Sequence, residues 1–391
     1  MKKKTVSAML AAVLTGALLA GCGSAATTTA PAESAAPAVE SAAPAESAAP
    51  AESAAPAESA APAKSAAPAE GGSGAAGHTY AIVTKSAGNP YNEREASGFQ
   101  ETIEAEGGTC IVQHPEAATA DAQIAVIQSL ISQGVDSIAI AANDANALTA
   151  ALTEAKDAGI KVITLDSDVT PEARLTFCNQ AGVTEVGQAL LDAVYDLTGG
   201  EGQYAILSAT SQATNQNAWI AAMEEITKSD EKYSKLECVE VAYGDDEPQK
   251  STDQTQALLQ NYPDLKVICS PTTVGIAAAA KVLQDQGSSV KLTGLGLPSE
   301  MAEYIGDDDA HSCPYMFLWN PIDLGKLAAY TSIALVDGTI TGAEGETFEA
   351  GDLESSPYTI KALADGTGSE IILGPPFKFD PSNIEEWSKV Y

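Results

Sequence analysis

The chain has 391 residues and a formal net charge of −33 at pH 7, from 53 Asp and Glu against 20 Lys and Arg. Such an acidic balance repels nucleic acid and anionic membrane surface, so it argues for solubility and against a DNA-binding role. The six cysteines are irregularly spaced with no CxxC pair, which fits neither a disulfide framework nor a zinc site.

The chain opens on Lys2, Lys3 and Lys4, then an apolar stretch over 6–20, then Leu19-Ala20-Gly21-Cys22. A basic start, a short apolar core and small residues before a cut site make a secretory signal. The apolar stretch is short of the about 20 residues a membrane-spanning helix needs. The Cys after Leu-Ala-Gly makes residues 1–21 a lipoprotein signal, with Cys22 acylated as the mature N-terminus. Stable anchoring by lipid alone needs more than one acyl chain.

Residues 22–78 are expected to be a disordered tether. Ala-Pro-Ala-Glu-Ser-Ala recurs from Ala43 to Glu70, with Lys64 as the one reversal of charge. Such a segment cannot bury enough apolar surface to offset its conformational entropy. Its recurrent Pro favours extended chain and opposes a helix.

From about residue 79 onward, strands alternate with helices. Strands are expected at 80–84, 109–113, 137–141 and 161–165, with helices at 92–106, 121–133 and 147–157. The helix at 121–133 carries Ile124, Ile127 and Ile131 on one face and stops at Gly134. The pattern then restarts, with strands at 204–208, 236–242, 265–270, 290–295 and 314–318. Helices are expected at 217–228, 252–259, 274–286 and 323–336. This alternation implies parallel sheets covered by helices, as two doubly wound α/β lobes. Cys110, Cys178, Cys238, Cys269 and Cys313 read as small buried hydrophobes in this scheme.

In open parallel sheets, ligands bind outside the carboxyl ends of the strands, and two facing lobes make a cleft. The informative residues therefore follow each strand. These are Lys85, Asn89, Tyr91 and Asn92; Asn143; Asp166 and Asp168; Asn215 and Gln216; Pro271, Thr272 and Thr273; and Trp319 and Asn320. Amides and carboxylates around an edge, with an aromatic ring against a face, match a sugar, whose hydroxyls both donate and accept. At any single position, Asn or Asp serves equally well as a turn former or helix cap.

Enzymatic signatures are absent. No GxSxG elbow, GxxxxGK[ST] loop or GxGxxG motif occurs at the right place. His78, His114 and His311 are not spaced as a metal pair. Asp166 and Asp168 as paired hydrolase carboxylates lack any feature separating acid from base. Asp307-Asp308-Asp309 lacks calcium-loop spacing. A non-enzymatic binding protein without metal or cofactor is the expectation.

The region 80–391 resembles the periplasmic sugar-binding proteins of bacterial ABC importers, of the ribose-binding, type I class, and within it the rhamnose-binding proteins. The likeness rests on Asn215-Gln216-Asn217-Ala218-Trp219, Pro271-Thr272-Thr273-Val274-Gly275-Ile276, Thr293-Gly294-Leu295-Gly296-Leu297-Pro298, Leu318-Trp319-Asn320-Pro321-Ile322-Asp323 and Gly374-Pro375-Pro376-Phe377. It implies a hinge of three crossings, with 79–179 plus about 320–346 in the first lobe and 180–319 plus about 347–391 in the second. It implies that Tyr91 and Trp319 pack on a sugar ring, that Lys85, Asn89, Asp166, Asn215 and Gln216 bind hydroxyls, and that Thr272 and Thr273 close the far side. The implied partner is an ABC permease, which receives the sugar from a lipid-anchored, extracytoplasmic monomer.

The neighbouring autoinducer-2 receptors have a Lys, an Asp, an Asp-Gln pair and Pro-x-Ala at the corresponding loops. This sequence matches at Lys85, Asp166, Gln216 and Pro271, and departs at Asn215 and Thr273. A deoxysugar such as rhamnose is thus favoured, with autoinducer-2 second and a sugar sensor for a membrane kinase as another role. A regulator of the lac-repressor type shares the fold, but needs a basic helix-turn-helix where this chain has a signal and an acidic tether.

Overall fold

The computed structural model describes residues 74–363 and 366–391. The signal segment, Cys22 and most of the Ala/Pro/Glu/Ser tract lie outside the described residues.

The first lobe is built on β1 (Thr79–Val83), β2 (Thr109–Gln113), β3 (Ser137–Ile140), β4 (Lys161–Leu165) and β5 (Phe177–Asn179), with α1 (Pro90–Ala105), α2 (Ala120–Gln133) and α3 (Thr149–Asp157) between them. The second lobe starts with α4 (Val183–Thr198). It continues through β6 (Gly202–Ser208), α5 (Thr214–Ser229), β7 (Leu236–Tyr243), α6 (Pro248–Asn261), β8 (Leu265–Ser270), α7 (Thr273–Asp285), β9 (Lys291–Gly294), α8 (Pro298–Met301) and β10 (Met316–Leu318). After α9 (Pro321–Val336) come short strands β11 (Thr347–Phe348), β12 (Tyr358–Thr359), β13 (Lys361–Ala362), β14 (Ser369–Ile372) and β15 (Phe377–Phe379), then α10 (Ile384–Trp387).

The first sheet has seven strands in the order β13-β14-β5-β4-β3-β1-β2, and the second has four, in the order β7-β6-β8-β9. Within these two sheets every pairing is parallel except the terminal β13–β14. Strands covered on both faces must be apolar throughout. In β1, Tyr80 and Ile82 face a core shared with Phe99, Ile103, Leu324 and Leu327. The alternate residues Ala81 and Val83 face another core with Ile127, Leu130, Ile138 and Leu152. The second lobe packs one core around Ile206, Trp219, Val267, Ile276 and Leu292. This is the type I periplasmic binding protein fold, and the chain passes between lobes near 179–183, 318–321 and 372–377.

Two boundaries and one burial differ from the sequence expectations. The resemblance implies the second lobe for segment 347–372, yet β13 and β14 extend the first sheet, and Phe348, Leu353, Tyr358 and Ile371 join the first-lobe core. Long-range pairing of very short strands carries no local sequence signature. The ordered body also begins before residue 79: Ala75 is buried in the same core, and His78 pairs with Asp136 at 3.0 Å. Cys238 is exposed on β7 rather than buried, although Cys178, Cys269 and Cys313 are buried and all five described cysteines are free. No helix of the described residues is long and apolar enough to cross a membrane.

Helix α9 packs on α1 closely enough for backbones to touch. A Cβ built on Gly98 would lie 2.0 Å from the Ile322 carbonyl oxygen, and one on Gly325 would lie 2.0 Å from the Glu95 carbonyl oxygen. Gly325→Ala must therefore separate the helices. It is expected to cost about 1–3 kcal/mol, the range for overpacking a well-filled interior, read as a lower urea midpoint. An unchanged midpoint would show that the contact is not tight.

Candidate ligand-binding site between the lobes

The carboxyl ends of β1 and β4 face the N-termini of α5 and α7 across a small cavity of about 40 Å³. Its charged lining residues are Lys85, Asp166 and Asp246. Three helices, α1, α5 and α7, begin at the wall, each with first-turn residues lining it. Their unsatisfied N–H groups and positive dipole ends favour an acidic, hydroxyl-rich interior.

Asp166 is the central group. It is 4% exposed and has φ of 59°, a left-handed conformation uncommon outside glycine and tolerated best by Asn and Asp. Such outliers persist where the surroundings over-determine them, as at binding sites. Lys85 Nζ pairs with Asp166 Oδ2 at 2.8 Å. Tyr91 OH donates to Asp166 Oδ1 at 3.1 Å, and Trp319 Nε1 donates to Tyr91 OH at 2.7 Å. From the second lobe, Asn215 Nδ2 donates to Asp166 Oδ2 at 3.3 Å and Asn215 Oδ1 accepts from Lys85 at 3.2 Å. One buried carboxylate thus links both lobes and the second crossing. Burial, helped by the Asp166 charge and then by Glu95, pushes the Tyr91 hydroxyl well above its ordinary range, so it stays a donor.

The remaining wall is more local. Asn89 caps α1, accepting from the Tyr91 N–H at 3.0 Å, and Asn92 Nδ2 donates to Ser86 O at 2.9 Å. Gln216 donates to the Pro271 carbonyl at 3.4 Å and leaves its buried Oε1 without a partner, an acceptor open to a ligand hydroxyl. Thr272 precedes α7, its hydroxyl donating to Asp246, and Thr273 opens the helix. Burial raises the Asp246 carboxyl above its ordinary value, opposed by the Thr272 bond and by Lys85. Trp219, Leu295 and Leu318 complete the apolar lining, and the rings of Trp219 and Trp319 lie 5.6 Å apart.

Eleven of the fourteen residues singled out from sequence line this cavity, and three do not. Asn143 sits behind it, its Nδ2 donating to the Lys85 carbonyl at 2.8 Å while Gln123 Oε1 accepts from the Asn143 N–H at 2.9 Å. Its role is to position the Lys85 backbone. Asp168 turns away and is gripped by Arg174, Nε to Oδ1 at 2.6 Å and Nη2 to Oδ2 at 2.5 Å. It borders a second space of about 370 Å³ beyond Asp166, Asn215 and Trp219. That ion pair leaves Asp166 and Asp168 without the facing geometry of a hydrolytic pair. Asn320 caps α9, accepting from the Ile322 N–H at 3.0 Å and donating to Asp323 at 2.8 Å. Sequence reasoning missed Asp246, which follows β7 in a turn that reads as solvated acid. It named Trp219 only as a neighbour, although Trp219 starts one turn into α5 from Asn215. No group of three or more His, Cys, Asp or Glu among the described residues could hold a metal ion.

A two-lobed α/β body with a polar cavity walled by strand ends and helix N-termini defines a ligand-enclosing binding protein. The periplasmic binding protein domain model matches residues 80–340, and the chain belongs to that family. An ABC transporter solute-binding protein from Clostridium phytofermentas, solved with bound L-rhamnose, is 62% identical, with a TM-score of 0.79 over 80% of this chain and 99% of that one. LsrB from Clostridium saccharobutylicum in complex with AI-2 shares the fold, at 23% identity and a TM-score of 0.72, over 79% of this chain and 99% of that one. The D-apiose import binding protein of Actinobacillus succinogenes is 23% identical over 229 residues, covering 58% of this chain and 71% of its own.

Tyr91→Phe removes a donor to Asp166 and the acceptor of the buried Trp319 N–H. It is expected to lower stability by about 1–3 kcal/mol, the cost of orphaning a buried polar group, measured by chemical denaturation without ligand. Parent-like stability would mean the indole N–H finds another partner.

Proposed function

We propose that the chain is an extracytoplasmic solute-binding lipoprotein of an ABC importer, that it encloses L-rhamnose or a related deoxysugar between its lobes, and that the closed form docks on the permease. The 62% identity to a protein holding L-rhamnose, over 99% of that chain, carries the reading. The cavity chemistry agrees with it. Asp166, Asp246 and Gln216 Oε1 accept from sugar hydroxyls, Lys85 and Asn215 donate, and Trp219 and Trp319 offer apolar faces to a ring and its methyl group.

Autoinducer-2 is the second reading, supported by Lys85, Asp166, Gln216 and Pro271 in the cavity wall. Asn215 weighs against it. It stands where those receptors have Asp, and a site built around specific hydrogen bonds discriminates strongly when one is lost.

Calorimetric titration of residues 74–391 with L-rhamnose, beside autoinducer-2 and a panel of pentoses and hexoses, tests the reading. Saturable one-site binding of rhamnose is expected. Asp166→Ala should weaken it by about a hundredfold or more, since charged hydrogen bonds contribute about 1.5–3 kcal/mol each. A response to autoinducer-2 with silence towards rhamnose would transfer the function to the second reading. For the anchor, Cys22→Ser is expected to abolish metabolic labelling with a radioactive fatty acid and to release the protein from membranes; labelling that survives would refute acylation at Cys22.

A further inference from the structure

Glu95 lies on α1 one turn after Tyr91, on the same face. Its side chain is fully buried and neither carboxyl oxygen has a hydrogen-bond partner. A buried polar group without a partner costs stability, and an apolar residue of similar size would avoid that cost. Glu95 does not line the ligand cavity, and the mechanism of binding above makes no use of it. Its charged neighbours are Asp166, at the end of β4, and Lys85, after β1. The other charges near this helix are engaged elsewhere. On α9, Asp323 and Lys326 pair with each other at 3.5 Å, and Gly325 is what packs on the Glu95 backbone. On β1, the Tyr80 hydroxyl feels Asp136 and Asp337. On β2, the Cys110 thiol feels Glu104.

We infer that Glu95 is a positioning residue of the cleft: in its protonated form it backs the Lys85–Asp166 pair, and its ionisation draws the Lys85 ammonium away from Asp166 and weakens ligand binding. The inference rests on the cavity being the ligand site. Burial first, and then the Asp166 charge, hold the Glu95 carboxyl well above its ordinary range, against the pull of Lys85. The acid is therefore neutral where an exposed glutamate is charged. Ionised, it sets a second carboxylate beside a single ammonium in a water-poor space, so Asp166 and Glu95 compete for Lys85.

The sign follows from proton linkage. The unfolded chain releases the Glu95 proton at about pH 4.3, and the folded protein keeps it to higher pH. The folded state binds more protons in between, so stability falls as pH rises from about 4.3 to the folded pKa. Ligand affinity is level below the folded pKa and drops above it, as the competent form shrinks by about tenfold per pH unit.

The test compares the parent with Glu95→Gln, which mimics the neutral acid. L-rhamnose affinity is measured across neutral to alkaline pH, with urea denaturation of the ligand-free proteins from pH 4 upward. The parent is expected to lose affinity at alkaline pH, with the glutamine variant keeping a flatter profile and lacking the parent's fall in stability. The difference between the two profiles isolates Glu95, because every other ionisable group is common to both proteins. A carbon-13 titration of the glutamate carboxyls in the parent is expected to show one group ionising far above the rest. Parallel affinity profiles would overturn the positioning role. No late-titrating carboxyl and no difference in stability slope would overturn the buried acid itself. If rhamnose is silent in both proteins while the late carboxyl and the stability difference are seen, the assigned ligand has failed and the neutral acid stands.

Discussion

The geometry of the cleft depends on one buried carboxylate held in a left-handed backbone conformation. Asp166 ends β4 at φ of 59°, which turns its side chain into the space between the lobes instead of along the strand. Every cross-lobe polar contact described at the site involves it or its partner Lys85. A buried ion pair contributes little net stability, because desolvation offsets attraction. What the pair supplies is direction: Lys85, Tyr91 and Asn215 are each held at hydrogen-bonding distance by a single acceptor.

The electrostatics of the cleft run against the character of the whole chain. With a net charge of −33, the chain still gathers two of its carboxylates, Asp166 and Asp246, in one cavity wall. The cavity manages it through backbone geometry. Strand ends supply the acids, and three helix N-termini supply directed donors and partial positive charge that cost no extra lysines. Lys85 is then the one full positive charge in the lining, and its carbonyl is fixed by Asn143 while Gln123 ties the ends of β1 and β3 together through Thr84 and Ala141. The same strand-end loops that line the cavity also contain the scaffolding that orients its side chains.

Much of this was legible in the sequence, because parallel strands and amphipathic helices leave local periodic traces. The rule that ligands sit beyond strand ends then located most of the cavity. The misplaced candidates share one cause. Asn143, Asp168 and Asn320 occupy strand-end loops like the others, and only three-dimensional pairing with Lys85, Arg174 and the α9 N-terminus shows them to be supports and caps. Helix α4 was passed over although Val186, Leu190 and Val194 stand at helical spacing and are buried; that signal was available. The lobe membership of 347–372 was not, since β14 joins the first sheet through β5, nearly two hundred residues away in sequence. Glu95 was invisible for a similar reason. In a polar helix segment containing Glu93 and Arg94 it looks like another solvated acid, and only packing of the distant α9 buries it.

The glycine contacts between α1 and α9 also bear on how a ligand would be captured. Helix α9 begins two residues after Trp319, and its backbone is locked onto α1, which carries Tyr91. The indole therefore sits at the crossing, hydrogen-bonded to Tyr91 of the first lobe while its ring packs beside Trp219 of the second. An opened molecule would present Asp166, Lys85 and Tyr91 together on one half, as a shelf assembled before the ligand arrives. Encounter would then take place on that shelf, and Asn215, Gln216 and Thr272 would arrive later, with the swing of the other lobe. Such a division makes the first lobe responsible for how fast a molecule is picked up and the second for how long it is kept.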